Sequence, residues 1–574
     1  MRKLSQLLPV LSWLPNYQKS WLKGDISAGL TVGVMLIPQG MAYALIAGLP
    51  PVYGLYAAIV PQLIYAFFGT SRQLSVGPVA MDSLLVASGV SVMAVQGTEA
   101  YLSLVILLTV FTGIFQLFLG VIKMGFVTNL LSKPVISGFT SAAAFIIGVN
   151  QLNHLLGIDL VKSNQVLKVL SDVPTKIDQT HMLTLGIGLT TLLLIYFLKK
   201  WKQSFPGALT AVILSSLVVY FGGLSEQNVS ILAQIPAGLP SFQIPVFSYQ
   251  QFVELVPLAL TLAVISFMES YSVSKSLESK RHEYKVEANQ ELVALGLSNM
   301  GGAFFGSFPV AGGFSRSAVN FQSGARTPLA NVISASLIIV TLLFLTSWFY
   351  YLPHAVLGAI ILVAISGLID LKYAAKLWHD SKLEFWLMVF TLLSTIVFSM
   401  VIGIITGIVL SVLVLMYQLA YPHIAELGRL KGHHEFRNVK RFKDLETWDH
   451  IMIIRLDASL RFININYFKE YIERKVIERK SKGLNTIILD AGPISNLDAT
   501  ASAGLLDLLI YLNENGIEFL ICDVIGPVRD SMKRSGLNEK IRKEHVFLDL
   551  NEAVRFAITH EQGEFKEYAL QAND

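Results

Sequence analysis

Cysteine is almost absent. Cys522 stands alone in 574 residues, so neither an internal disulfide nor a cysteine-ligated metal cluster can form. Charge is scarce as well: 15% of residues are Asp, Glu, Lys or Arg, and no Lys or Arg occurs between Gln203 and Met268. With 53% hydrophobic residues and a mean hydropathy of +0.57, the chain carries more apolar surface than a soluble core can hide, so lipid must be its solvent. No basic patch with interleaved aromatics is present, and the net charge of +4 therefore does not point to nucleic acid. There is no metal-ligand cluster, phosphate loop or nucleophile elbow in context, so neither an enzyme nor a cofactor is expected. Met1 to Gly24 lacks the short apolar run and cleavage site of a signal peptide, which leaves targeting to the first spanning helix.

What the chain does contain is apolar runs. A bilayer core of ~30 Å takes about 20 apolar residues per helix, and fourteen such runs fill Asp25 to Tyr421, among them 25–47, 74–95, 252–274, 287–304, 309–324 and 402–421. Basic residues fall in alternate connections: Arg72, then Lys123 and Lys133, then Lys199, Lys200 and Lys202, then Lys275, Lys280, Arg281 and Lys285, then Arg326, then Lys372, Lys376 and Lys382. Lys162, Lys168 and Lys176 break the rule, but Asp159, Asp172 and Asp178 balance them. With Arg2, Lys3, Lys19 and Lys23, the basic side takes both ends of the membrane path, so both termini are expected in the cytoplasm.

Gly77-Pro78-Val79-Ala80 opens the third run and Phe308-Pro309-Val310-Ala311 opens the tenth, seven runs later. Seven is odd, so a second half built like the first runs inverted, and paired Pro/Gly-interrupted segments point to a midplane site. After Tyr421-Pro422 the pattern changes. His450 to Leu456, Thr486 to Asp490 and Glu518 to Val524 alternate as strands with helical stretches. The expected division is a cytoplasmic segment 1–24, a transmembrane domain 25–423, a linker and start of the soluble region 424–448, a small α/β domain 449–562 and a tail 563–574.

Charges at midplane are costly and ask for a function. Asp82, Glu269 and Arg316 are the central ones; a Glu269 to Arg316 contact that merely ties two helices together is the plain alternative. Inverted broken segments bring helix N-termini at Val79 and near Ser315 toward each other, and each end offers free N–H groups and about half a positive charge. Arg316 adds a full charge, Gly312 and Gly313 admit close backbone approach, and Ser315 and Ser317 supply hydroxyls. A small anion is the expected ligand.

Pro38-Gln39-Gly40-Met41-Ala42-Tyr43-Ala44, Pro50-Pro51-Val52-Tyr53-Gly54-Leu55-Tyr56, Gly69-Thr70-Ser71-Arg72 and Ser315-Arg316-Ser317-Ala318-Val319-Asn320 closely resemble the SulP sulfate permease family, over nearly the whole chain. The resemblance implies a polytopic α-helical membrane protein of about 14 spans in a 7+7 inverted repeat with core and gate subdomains, followed by a STAS domain. It also implies a homodimer and, for a bacterial type, the inner membrane. It places Gln39 and Tyr43 beside the anion, Phe314, Ser315 and Arg316 opposite, and the backbone at Val79 and Ala80 below. Glu269 resembles the coupling-cation acid of relatives. Sodium-coupled relatives tend to carry Asp with a hydroxyl one turn later, whereas Val273 stands there, so a proton is the expected partner ahead of sodium. Asn496-Leu497-Asp498-Ala499-Thr500-Ala501-Ser502 resembles the STAS loop that carries a phosphorylated hydroxyl, here Thr500 or Ser502, and offers a site for a cytoplasmic partner. The Gly that usually follows is missing, and a plain helix start capped by Asp498 is the other reading.

The expected function is secondary transport of sulfate, bicarbonate or a dicarboxylate. Two alternatives keep the fold: a nucleobase permease, disfavoured by Arg316 and by Gln39 in place of a second acid, and an anion-binding sensor or motor without net flux.

Overall fold

The computed structural model describes residues 8–129, 132–160, 166–201, 206–234, 236–245, 248–281, 283–398 and 400–561. Arg2, Lys3, Lys162, Lys202 and the tail 563–574 lie outside them. The chain forms two compact units, Met1–Ser411 and Val412–Asp574.

After a single helical turn at Val10–Trp13, the first unit runs through α1 (Lys19–Ile46), α2 (Val52–Tyr56) and α3 (Val60–Phe68), then a two-residue strand β1 (Val76–Gly77) that feeds α4 (Ala80–Val90). α5 (Glu99–Val121), α6 (Lys133–Asn150), α7 (Val166–Lys176), α8 (Met182–Trp201), α9 (Gly207–Phe221), α10 (Tyr249–Arg281) and α11 (Ala288–Ala303) follow. A second short strand, β2 (Ala311–Gly312), feeds α12 (Phe314–Gln322). α13 (Leu329–Val340), α14 (His354–Ile365), α15 (Leu371–Asp380), α16 (Lys382–Val397) and α17 (Met400–Ala420) complete the helical part. Every expected apolar run carries helix. Among the described residues, six helical stretches can cross a bilayer by length and composition, or seven if Lys168–Gln179 and Met182–Leu198, bent by 118°, are one. The long connection before α8 holds the helix α7, where a loop was expected, and its Lys176 pairs with Asp172 at 3.0 Å.

Two expected spans are helical for only part of their length. α4 has 11 residues and α12 has 9, about 16 and 14 Å of helix, or half a bilayer core. β1 and β2 supply the rest, pairing antiparallel with Val76 opposite Gly312 and Gly77 opposite Ala311. This register corrects the sequence match noted above. Pro78-Val79-Ala80 begins a helix, but Pro309-Val310-Ala311 enters the strand, and the true counterpart of Val79 is Gly313, the residue that precedes α12.

The resemblance motifs are largely packing motifs. In α1, Pro38 cannot donate to the carbonyl of Val34, and Gly40 presses on α2 so closely that an added Cβ would lie 2.9 Å from the Gly54 carbonyl oxygen. Two buried carboxylates not singled out in the sequence clamp the loops around the half-helices. Asp25 accepts from the backbone N–H of Arg326 (2.6 Å) and Thr327 (3.0 Å), from Thr327 Oγ1 (2.7 Å) and from the Tyr17 hydroxyl (3.1 Å). Glu291 accepts from the Tyr65 hydroxyl (2.6 Å), Thr70 N–H (2.7 Å), Thr70 Oγ1 (2.6 Å) and Ser71 N–H (3.1 Å). Removing such an acceptor strands buried donors, so Glu291→Ala is expected to destabilise the helical unit by roughly 3 kcal/mol, read as a lower melting temperature in detergent. An unchanged melting temperature would refute the clamp.

The second unit is an α/β domain. Its sheet runs β4 (Phe436–Asn438), β3 (Ile424–Leu430), β6 (Ile451–Leu456), β7 (Thr486–Asp490), β8 (Glu518–Cys522), β9 (Val546–Phe547), with β5 (Leu445–Glu446) also on β3. β6 to β9 are parallel and β3 is antiparallel to β6. The stretch 424–448, expected to begin as a linker, thus holds three strands of the sheet. Helix α18 (Ile465–Lys480) buries Ile465, Phe468, Ile472 and Val476, the face its spacing predicts. Helix α19 (Ala499–Glu514) starts at Asp498, whose carboxylate accepts from Ala501 N–H (2.8 Å) and Phe462 N–H (2.8 Å). Thr500 is exposed on its first turn, and Ser502 is buried. Asp498→Ala should cost about 1 kcal/mol, seen as faster hydrogen exchange at the Ala501 and Phe462 amides in the full-length protein; unchanged exchange would rule out the cap.

Candidate anion site between two half-helices

Antiparallel strands that each run into a helix set the two helix starts at opposite ends of the short pairing and send the helices apart. Val79 precedes α4 with φ −132° and ψ 149°, Gly313 precedes α12 with φ −77° and ψ 123°, and neither helix start is capped by a side chain. Gly313 N–H donates to the Ser75 carbonyl (3.0 Å), Ser75 N–H donates to Ser317 Oγ (2.9 Å), and Gly312 N–H donates to Ser270 Oγ (2.7 Å). The side-chain amides of Asn320 and Asn331 donate to the carbonyls of Gln73 (2.9 Å) and Leu74 (2.8 Å). On the other side, Asn299 bonds Val310 in both directions, its Oδ1 accepting at 2.9 Å and its Nδ2 donating at 3.2 Å. The extended backbone is thus satisfied by protein, the condition for non-helical chain at membrane depth.

Arg316 sits on the first turn of α12 and is 2% exposed. Its Nη1 donates to the Pro78 carbonyl at 2.8 Å, bridging the two strand-to-helix turns, while Nε and Nη2 are buried with no partner among the described residues. Gly313 is needed beneath it: an added Cβ would lie 2.7 Å from the guanidinium carbon. Phe314 is 63% exposed and Ser315 is exposed, although β2 just before them is buried. Gln39 and Tyr43 are buried on α1, and Ala80 is the first residue of α4. Tyr43, Glu269 and Arg316 lie within electrostatic range of one another. No Glu269 to Arg316 ion pair occurs among the described residues, so the plain structural contact considered from sequence is not made. Glu269, half-buried on α10, leaves Oε2 without a partner, and the next residue, Ser270, holds β2. The structure therefore brings Tyr43, Val79, Ala80, Phe314, Ser315, Arg316 and Glu269 around one pair of helix starts, with α1 packed against both half-helices.

The positioning residues Ser75, Ser270, Asn299, Asn320 and Asn331 were missed from sequence. Small polar side chains in apolar runs are too common to mark individually, and what they bond is decided by strand register.

Two half-helices that begin from paired short strands among long apolar helices, in a chain that also holds an α/β domain, define a class: multi-pass membrane transporters. The comparisons with known proteins make it particular. The sulfate permease family matches residues 22–391 and the STAS domain matches residues 443–553. "Sulfate transporter 4.1, chloroplastic" of Arabidopsis thaliana is 34% identical over 97% of this chain and 84% of its own length. "High affinity sulfate transporter 2" of Stylosanthes hamata is 31% identical over 96% and 86%. The murine solute carrier 26 family member A9 anion transporter, solved in the inward-facing state, superposes with a TM-score of 0.89 at 27% identity, covering 97% of this chain and 95% of its own. The transmembrane domain of a cyanobacterial bicarbonate transporter, BicA, shares the fold over 69% of this chain with a TM-score of 0.60. The chain belongs to the sulfate permease family, a family of membrane transporters and not of enzymes, and it carries a C-terminal STAS domain.

Proposed function

We propose that the protein is a secondary transporter of a small oxyanion, of the sulfate, bicarbonate or dicarboxylate kind, coupled to protons. One observation carries the reading: the free Nε and Nη2 of a buried Arg316 between two helix starts that no side chain caps. A buried guanidinium with unmet donors is costly, and an oxyanion meets it with charge and acceptors together. The same reading assigns Gln39, Tyr43, Phe314 and Ser315 to the anion as side chains, and Val79 and Ala80 through their backbone amides. The names of the curated relatives favour sulfate as cargo. Glu269 is the residue of the site able to take and release a proton opposite Arg316. Transport then consists of the half-helix core rocking against the remaining helices around a fixed site. The loop charges favour cytoplasmic termini, and the family resemblance favours a homodimer. In the STAS domain, exposed Thr500 is the hydroxyl open to modification, and Asp498 holds the turn that presents it.

A thermal-shift panel on the purified protein tests the ligand class. An anion bound only by the native state stabilises it by about 2.7 kcal/mol at a hundred times its dissociation constant, so sulfate should raise the melting temperature and uracil should not. A panel in which no anion does so, or in which uracil competes with labelled sulfate, would overturn the reading.

A further inference from the structure

Asp82 is fully buried on the first turn of α4, and neither of its carboxylate oxygens has a partner among the described residues. The contrast with the other fully buried carboxylates is sharp, since Asp25 and Glu291 each collect four donors. A carboxylate that holds structure together is surrounded by N–H and O–H groups; Asp82 has none, so a fixed ionic role is excluded. α4 packs against α1, α5, α6, α10 and α14. From these elements the charge that acts on Asp82 is that of Glu269 on α10, whose Oε2 is likewise buried and unpartnered. Glu269 is in turn within electrostatic range of Tyr43 on α1 and Arg316 on α12. Two carboxyl groups sharing a dry site cannot both ionise cheaply, and one proton between them removes the repulsion.

We propose that Asp82 and Glu269 form one proton-carrying pair, with Asp82 holding the proton while Glu269 is ionised opposite Arg316. This rests on the proton-coupled reading above and extends it to a second residue. When the anion occupies Arg316, the negative charge of Glu269 loses its partner. The Asp82 O–H bond then breaks as a Glu269 O–H bond forms, and Asp82 takes a replacement proton from water on the side to which the site is open. After the anion leaves on the other side, the Glu269 O–H bond breaks and its proton goes to water there, so one proton crosses with each anion.

Infrared spectroscopy of the full-length protein in lipid nanodiscs reads this without any need for flux. At neutral pH the wild type should show the carbonyl stretch of a buried, protonated carboxylic acid; Asp82→Asn should abolish it, and Asp82→Glu should bring a displaced band back. In Glu269→Gln the band should persist, and the pH at which it disappears should move to the acid side by about one unit or more, because the repelling neighbour is gone. A band unaffected by Asp82→Asn, or a titration that Glu269→Gln leaves in place, would overturn the pair. Absence of sulfate uptake in wild-type vesicles while the bands behave as stated would instead overturn the transport reading and leave the pair standing.

Discussion

Arg316→Ala should reduce sulfate uptake by reconstituted vesicles to the background of protein-free vesicles while the protein still folds. The guanidinium makes two kinds of contact. Nη1 ties α12 to the Pro78 carbonyl, and on the proposed reading Nε and Nη2, which have no partner among the described residues, bind the anion. Truncating one side of a buried charge-assisted pair costs about 2–5 kcal/mol, which corresponds to roughly 30- to 4000-fold in affinity. Arg316→Lys separates charge from geometry. A lysine keeps the charge but offers a single point donor, so it cannot hold Pro78 and the anion together; uptake should fall nearly as far. Full activity in either variant would refute the site, and so would loss of folding in both with binding retained in the residual folded fraction.

Glu269→Gln should abolish accumulation driven by a proton gradient and leave anion exchange in place. Glutamine keeps the shape of a protonated glutamate and can never release a proton, so the carrier returns without the ion that couples it to the gradient. One pH unit is worth about 1.4 kcal/mol per proton, enough for about tenfold accumulation per coupled proton with the electrical potential clamped. The wild type should approach that ratio and Glu269→Gln should stay near unity, while labelled sulfate still exchanges against internal sulfate. Gradient-driven accumulation surviving in the mutant would sink the proton role of Glu269. Accumulation by the wild type under a sodium gradient at equal pH would replace the proton with sodium.

The helical runs were legible because lipid forces long apolar segments to be helices, and the soluble part was legible because short apolar runs such as Ile451–Leu456 read as strands buried on both faces, while burial repeats every three or four residues in Ile465–Lys480. Arg316 and Glu269 stood out because a charge in an apolar run is rare. Glu291 should have stood out by the same rule. It lies near the start of its helix, where sequence does not separate an interfacial acid from a buried one. The strand Ile424–Leu430 escaped because its neighbours in the sheet come from residues 436–456, and pairing partners leave no local trace. The Pro-Val-Ala match misled for a similar reason: the same three residues begin a helix at Ala80 and a strand at Ala311, since the hydrogen-bond partners that choose between them lie elsewhere in the chain.

Residue order alone determined that this protein lives in lipid, that it carries an α/β domain, that it belongs with the sulfate permeases by its motifs, and which charged side chains stand inside apolar runs. Those properties depend on composition and local periodicity, which each segment carries by itself. Tertiary structure decided that Val76-Gly77 pairs with Ala311-Gly312 just before the two half-helices, that Arg316 reaches Pro78 with two nitrogens to spare, and that Asp82 has no donor among the described residues while Asp25 and Glu291 have four each. Such facts depend on which distant atoms meet, and a buried polar group takes its role from its partners.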